Sequence, residues 1–147
     1  MRRLCLWPAV AALLSACGAL GTPPAPTAGD LLAARAAVRG VRVSDDLRRY
    51  IAGLSARTRT HGQVALGAGP RASLALQGVS QALAALAGRP FVTPDDVKAA
   101  APGVLAHRLS LRIEARLAGT PPESVVAEVL RQEPVPADPA ALAGTAL

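Results

Sequence analysis

From residue 30 onward, apolar side chains recur every three or four positions in several short segments, which is the periodicity of amphipathic helices. In the clearest segment, one stripe of apolar side chains stands at i, i+3, i+4 and i+7: Leu47, Tyr50, Ile51 and Leu54. Ser44 precedes this stripe and is placed to cap the helix start. The pattern therefore predicts a helix that buries a single face.

Four further helices are predicted from capping residues and from proline or glycine punctuation. Asp30 and Gly40 delimit the first, and Pro70 is suited to the first position of the second because it lacks an N–H there. The other two open with a threonine followed by proline, a cap-then-proline start. The four helices are expected over residues 31–39, 70–87, 93 to about 102, and 120 to about 130. Apolar residues cover most of the circumference of the 70–87 segment, so we expect a central helix that is buried nearly all round.

Two segments are strand-like. Residues 41–43 form a brief extended piece, and residues 109–114 alternate apolar and polar side chains with period two. These segments are expected to pair as a small ribbon. The predicted fold class is therefore all-α, a small helical bundle with one short two-stranded ribbon.

The N-terminus differs from the rest of the chain. Residues 1–21 combine two arginines, an apolar stretch over residues 4–14 and then small residues, which is a signal-peptide layout. The run of residues 14–18 resembles the lipobox of bacterial lipoproteins, which makes Cys17 a candidate lipidation site. We expect a proline-rich linker over residues 22–28, a domain over 29–133 and a disordered tail over 134–147.

Composition excludes some classes of partner. The 147 residues suffice for one domain of ordinary size, and the net charge of +6 comes from 16 basic and 10 acidic residues. Aromatic residues make up only 2% of the chain, so there is almost no platform on which bases could stack. No nucleic-acid partner is therefore expected.

The sequence carries no recognisable catalytic motif. A phosphate-binding P-loop needs lysine followed by serine or threonine, whereas the only lysine, Lys98, is followed by Ala99. His61 and His107 lie far apart and in no metal-ligand spacing, and both are expected to be structural. The chain is therefore not expected to be an ATPase on its own or to bind a metal.

Several sequence blocks, taken in order, resemble the C-terminal lid subdomain of MoxR-family AAA+ ATPases over roughly residues 28–136. The blocks are YI at 50–51, TR-x-H at 58–61, G-x-x-PRA at 67–72, GR-x-x-V-TPDDV at 88–97 and VL-x-HR at 104–108. Agreement of independent blocks in the correct order makes chance an unsatisfactory explanation.

The resemblance implies a helical bundle of the AAA+ lid type, which packs over a nucleotide held by a separate P-loop core in a ring of subunits. In such lids the arginine of the PRA turn is the sensor-2 residue, here Arg71, and Gly69 and Pro70 precede it at the same nucleotide-binding turn. ATP would then be a cofactor only with a partner core. The partners would be that core or neighbouring ring subunits, the role chaperone-like remodelling, and the location cytoplasmic.

The residues are compatible with this role for Arg71. It is expected to be the second residue of its helix, where free N–H groups and the positive end of the helix dipole favour a phosphate. The alternative is a merely solvated arginine in an exported or lipid-anchored helical interaction protein with no nucleotide role. Membrane attachment would then depend on lipidation of Cys17.

Overall fold

The computed structural model describes residues 25–136 of the chain. The predicted leader with Cys17, the first residues of the predicted linker and the tail from residue 137 lie outside this range. Within it, the all-α class with one two-stranded antiparallel ribbon is confirmed. The helices are α1 (Ala28–Arg39), α2 (Asp45–Thr60), α3 (Pro70–Leu86), α4 (Pro94–Leu105), α5 (Ile113–Leu117) and α6 (Pro122–Gln132); the strands are β1 (Val64–Leu66) and β2 (Ser110–Leu111).

The predicted α2 is confirmed in its cap and in its buried face. The Ser44 hydroxyl accepts a hydrogen bond from the Leu47 N–H at 3.2 Å. The whole predicted apolar stripe is buried, and the stripe continues toward the C-terminal end with two polar residues, Ser55 and Thr58. The hydrophobic core therefore meets hydroxyl groups at the last turns of α2.

The prediction that α3 is buried nearly all round is wrong. Its buried residues repeat every four positions along one stripe: Ala72, Leu76, Ser80 and Ala84. Leu74 and Leu86 lie outside that stripe and are 70% and 86% exposed. The other helices that contact α3 leave much of its circumference uncovered by any described element.

The start of α1 differs from its prediction by one turn. Thr27 is the cap, and Asp30 lies inside the helix as the third residue of a capping box. The Thr27 hydroxyl and N–H donate to the Asp30 carboxylate at 2.7 and 2.9 Å, and these bonds lower the pKa of Asp30. The predicted linker consequently ends at Thr27.

Two other boundaries differ as well. The predicted stop near Pro102 is wrong, because α4 continues to Leu105 with Val104 and Leu105 buried in the core, and a 3-10 turn at Ala106–Arg108 follows. The predicted cap at Thr120 is displaced by one residue. The Thr120 N–H bonds to the carbonyl of Ala115, and Pro121 becomes the cap of a helix that runs to Gln132.

The predicted ribbon exists, but its predicted pairing is wrong. β2 pairs antiparallel with β1, and β1 lies in the segment between α2 and α3. Residues 41–43 instead lie beside the segment that joins α3 to α4, where Arg42 forms an isolated parallel bridge with Phe91. Ile113 opens α5 rather than extending the strand. Among residues 25–136, no helix is both long enough and apolar enough to cross a bilayer.

An ion pair fastens the end of α3 to the start of α4. The Arg89 guanidinium donates to both carboxylate oxygens of Asp96, at 2.6 and 2.8 Å, and Asp96 also accepts from the Thr93 N–H at 2.8 Å. Burial by itself raises the pKa of Asp96, but the hydrogen bonds from Arg89 and Thr93 together outweigh it and hold that pKa below its ordinary value. The charged carboxylate is therefore the form that the fold stabilises.

We predict that Asp96→Asn lowers the free energy of unfolding by about 2 kcal/mol at neutral pH, because Arg89 keeps its charge and no longer faces the Asp96 carboxylate. The matched control is Asp95→Asn, since the Asp95 side chain is 90% exposed and forms a surface ion pair with Lys98; it should cost less than about 1 kcal/mol. Urea unfolding measures both.

The same pair predicts a pH dependence. Because the pKa of Asp96 is depressed in the folded state, its stabilisation is present above the unfolded value of about 3.9 and is lost as the pH falls through the folded value. The difference in the free energy of unfolding between wild type and Asp96→Asn should therefore be largest at pH 6 and should decrease below about pH 4. Equal losses in the Asp95 and Asp96 variants would contradict this account.

Candidate functional site

The predicted site residues lie together at the start of α3. Pro70 is the first helical residue and Arg71 the second, as expected from the sequence, and Gly69 is the N-cap. All three are exposed, and no side chain caps this helix. Within residues 25–136, the N–H of Arg71 forms no hydrogen bond, whereas the Ala72 N–H donates back to the Gly69 carbonyl at 2.9 Å.

The Arg71 guanidinium has neither a hydrogen bond nor an ion pair with any residue of the described range. A cation at a helix N-terminus is mildly unfavourable, because the helix dipole is positive there. No carboxylate of the described range compensates it. Arg71 therefore contributes nothing evident to the stability of the fold, and its charge is available to a ligand.

Three buried or half-buried hydroxyl groups tie the start of α3 to α2; we call Ser55, Thr58 and Ser73 the hydroxyl cluster. The N–H of Ala68, just before α3, donates to Thr58 Oγ1 at 2.8 Å, and the Thr58 hydroxyl donates to the Ser55 carbonyl at 2.7 Å. The Ser73 hydroxyl, in the first turn of α3, donates to Ser55 Oγ at 2.8 Å. The chain is thus held on both sides of Arg71.

Close backbone contact reinforces this attachment. A Cβ atom added at Gly67 would lie 2.7 Å from Cα, N and Cγ of Arg59, so the turn lies directly against the α2 backbone. The next residue, Ala68, is fully buried. Gly69 is different, since an added Cβ there would meet nothing within 4 Å. The turn that leads into α3 is therefore fixed at residues 67 and 68 and open at 69.

The two histidines lie away from this turn. His61 sits between α2 and α6, where Nδ1 accepts from the Gln63 N–H at 3.3 Å and Nε2 is 3.3 Å from the Glu128 carboxylate. His107 Nδ1 lies 3.0 Å from the Gly103 carbonyl. No group of three or more His, Cys, Asp or Glu residues within 25–136 is arranged to hold a metal ion.

Sequence reasoning missed the hydroxyl cluster. Thr58 stands in the sequence only as part of the TR-x-H block, and Ser55 and Ser73 belong to none of the blocks. A signal was nevertheless available, because Ser55 and Thr58 extend the apolar stripe of α2 and so fall on its buried face. Polar residues in such positions need internal hydrogen-bond partners.

Comparison with known families bears directly on the stretch that contains this turn. The model of the AAA lid domain matches residues 56–129, half of the chain, and this range includes the turn, Arg71 and most of the core. The chain belongs to the AAA lid domain family. The predicted MoxR-type lid is thereby confirmed as a lid-like subdomain of AAA+ ATPases.

Individual relatives agree with this family. The chain is 40% identical over 99 residues to "Uncharacterized protein YeaC" of Bacillus subtilis; the match covers 67% of this chain and 31% of that protein. It is 42% identical over 73 residues to "Chaperone MoxR1" of Mycobacterium tuberculosis, covering 50% and 19%. A crystal structure described as "a putative ATPase from Cytophaga hutchinsonii" matches with a TM-score of 0.72 and 29% identity, over 74% of this chain and 36% of that one. The lid thus spans about a third or less of the length of these proteins.

We predict that alanine substitutions at two glycines of the lid, two residues apart, change the free energy of unfolding by very different amounts. Gly67→Ala should lower the free energy of unfolding by about 2 kcal/mol, because the methyl group collides with the backbone of Arg59. Gly69→Ala should change it by less than about 0.5 kcal/mol, because the added methyl group enters open space. Thermal and urea unfolding of both variants measure the difference. Equal effects would mean that the turn does not lie against α2.

Proposed function

We propose that this lid closes over a nucleotide held by a separate AAA+ core and presents Arg71 to the γ-phosphate as the sensor-2 cation. The observation that carries the proposal is the state of Arg71: exposed, at the start of α3, and without a partner in the described range. Membership of the AAA lid family supports it, because that family implies association with an AAA+ core.

The physical argument is that two positive features coincide at this turn. The guanidinium is a permanent positive charge with several N–H donors. The start of α3 adds the positive end of a helix dipole and the free Arg71 N–H. In the free lid the guanidinium and the positive end of the helix dipole repel each other mildly, and a bound anion relieves that repulsion. A phosphate group, with its negative charge and multiple acceptor oxygens, satisfies both at once.

Gly69 and Pro70 have supporting roles in this proposal. Gly69 has no side chain and lies in open space, so a phosphate can approach the backbone closely. Pro70 fixes the backbone of the first helical residue without adding an N–H that would need a partner. ATP belongs to the site only when a core supplies its binding pocket, because the sequence contains no P-loop.

In this proposal the partner is the core of another chain or a neighbouring ring subunit. One of the matched proteins carries the name chaperone, and another is described as an ATPase. The role proposed for the lid is accordingly the nucleotide-sensing part of an ATP-driven, chaperone-like remodelling machine. The lid alone is expected to hydrolyse no ATP and to bind no metal.

We predict that the full chain raises ATP turnover by a MoxR-type ATPase from which the matching lid stretch has been deleted. Arg71→Ala should reduce this stimulation at least about tenfold, because a group that stabilises charge in the transition state is removed. Arg71→Lys should keep part of it, since the charge remains and the forked donor geometry is lost.

The control for this experiment is Arg131→Ala, because Arg131 is also an exposed arginine and lies on α6. This variant should stimulate as the wild type does. Arg71→Ala should also unfold at the wild-type temperature, since Arg71 makes no polar contact in the described range. Full stimulation by Arg71→Ala would overturn the proposal.

The signal-peptide layout of residues 1–21 favours a second candidate, an exported or lipid-anchored helical interaction protein. Mass spectrometry of the expressed protein separates the two candidates. We predict an intact N-terminal segment that still carries Arg2 and Arg3. Cleavage before a diacylglyceryl-modified Cys17 would instead support the exported protein and contradict a cytoplasmic lid.

A further inference from the structure

We infer that Thr58 is a positioning residue for Arg71, acting through the turn that leads into α3. This inference rests on the proposed function of Arg71. Thr58 does not touch the proposed ligand. It fixes the backbone from which Arg71 projects, and so sets where the guanidinium can reach.

The hydrogen bonds of Thr58 are complete in both directions. Its hydroxyl donates to the Ser55 carbonyl at 2.7 Å and accepts from the Ala68 N–H at 2.8 Å, and the side chain is fully buried. Ala68 is also fully buried, so its N–H has no access to water. Loss of the Thr58 hydroxyl would leave a buried donor unpaired, and moving the turn toward solvent is the simplest way to satisfy it.

Arg71 lies between two attachment points on the same face of α2. Ala68, three residues before it, bonds to Thr58, and Ser73, two residues after it, bonds to Ser55. Ser55 and Thr58 are three positions apart, one turn of helix, so the two attachments are neighbours. Two attachments fix the direction of a short segment, whereas one would leave it free to pivot.

The steric contact at Gly67 makes Thr58 the more important of these attachments. The turn already lies against Arg59, so it can move only away from α2. The Thr58–Ala68 hydrogen bond is the attachment next to Gly67, and it opposes this movement directly.

Thr60 provides a matched control on the same helix. Its hydroxyl donates to the carbonyl three residues earlier, Arg57, at 3.2 Å, in the same way that Thr58 bonds to Ser55. Thr60 is exposed and accepts no hydrogen bond from the turn. Thr58→Val and Thr60→Val thus make the same chemical change, and only the first detaches Ala68.

The test is a double-mutant cycle on the stimulation of the lid-deleted ATPase by the full chain, using Thr58→Val, Arg71→Ala and the combined variant. We expect Thr58→Val to lower the stimulated kcat about tenfold, with Thr60→Val unchanged, since a small misplacement of a catalytic group has large effects. In the Arg71→Ala background, Thr58→Val should have no further effect. If the loss of stimulated kcat in the combined variant equalled the product of the two single losses, Thr58 would have a merely structural role and the positioning role would be contradicted.

Amide hydrogen exchange on the full chain without any core tests the attachment separately. Exchange of the Ala68 N–H should be at least about tenfold faster in Thr58→Val and unchanged in Thr60→Val. Unchanged exchange at Ala68 in Thr58→Val would overturn the inference whatever the ATPase result. If exchange accelerates as expected but the wild-type chain fails to stimulate, the proposed function fails and the positioning role falls with it. Stimulation by the wild type with multiplicative losses refutes only the positioning role.

Discussion

The start of α3 is held against α2 by buried hydroxyl groups and by a glycine that allows two backbones to touch, and the account of Arg71 depends on this attachment. An exposed arginine samples many rotamers, so its charge alone specifies no position. Thr58 and Ser73 fix the backbone on either side of Arg71, and Gly67 removes the space between the turn and α2. The mobile Arg71 side chain thereby projects from a backbone that is fixed in position.

Two arginines from separate sequence blocks have contrasting surroundings in this lid. Arg89 forms a forked ion pair with Asp96 and joins α3 to α4, so its charge belongs to the fold. Arg71 carries the same group and has no polar contact within residues 25–136. Membership of the AAA lid family gives this contrast its meaning, although the chain spans 31% of one relative and 19% of another.

The sequence predicts those parts of the fold whose physics is local. The Ser44 cap and apolar stripe of α2 need no tertiary information, and neither does Pro70 at the start of α3. The burial of α3 was mispredicted because alanine suits both a core and a surface, so composition cannot identify the side that packs. The partner of β2 was mispredicted because strands of two or three residues carry too little periodicity. The position of Arg71 as second residue of α3 was predictable from Pro70, whereas the bond between Thr58 and Ala68 spans ten residues and depends on tertiary packing.

The most direct measurement of the central claim is a structure of this lid bound to an AAA+ core with a non-hydrolysable ATP analogue. The decisive quantity is the distance between the Arg71 guanidinium and the γ-phosphate oxygens. The account predicts a hydrogen-bonded contact of about 2.7 to 3.0 Å, with the Thr58–Ala68 hydrogen bond intact. A phosphate contacted by the core alone, with the start of α3 facing solvent, would contradict it.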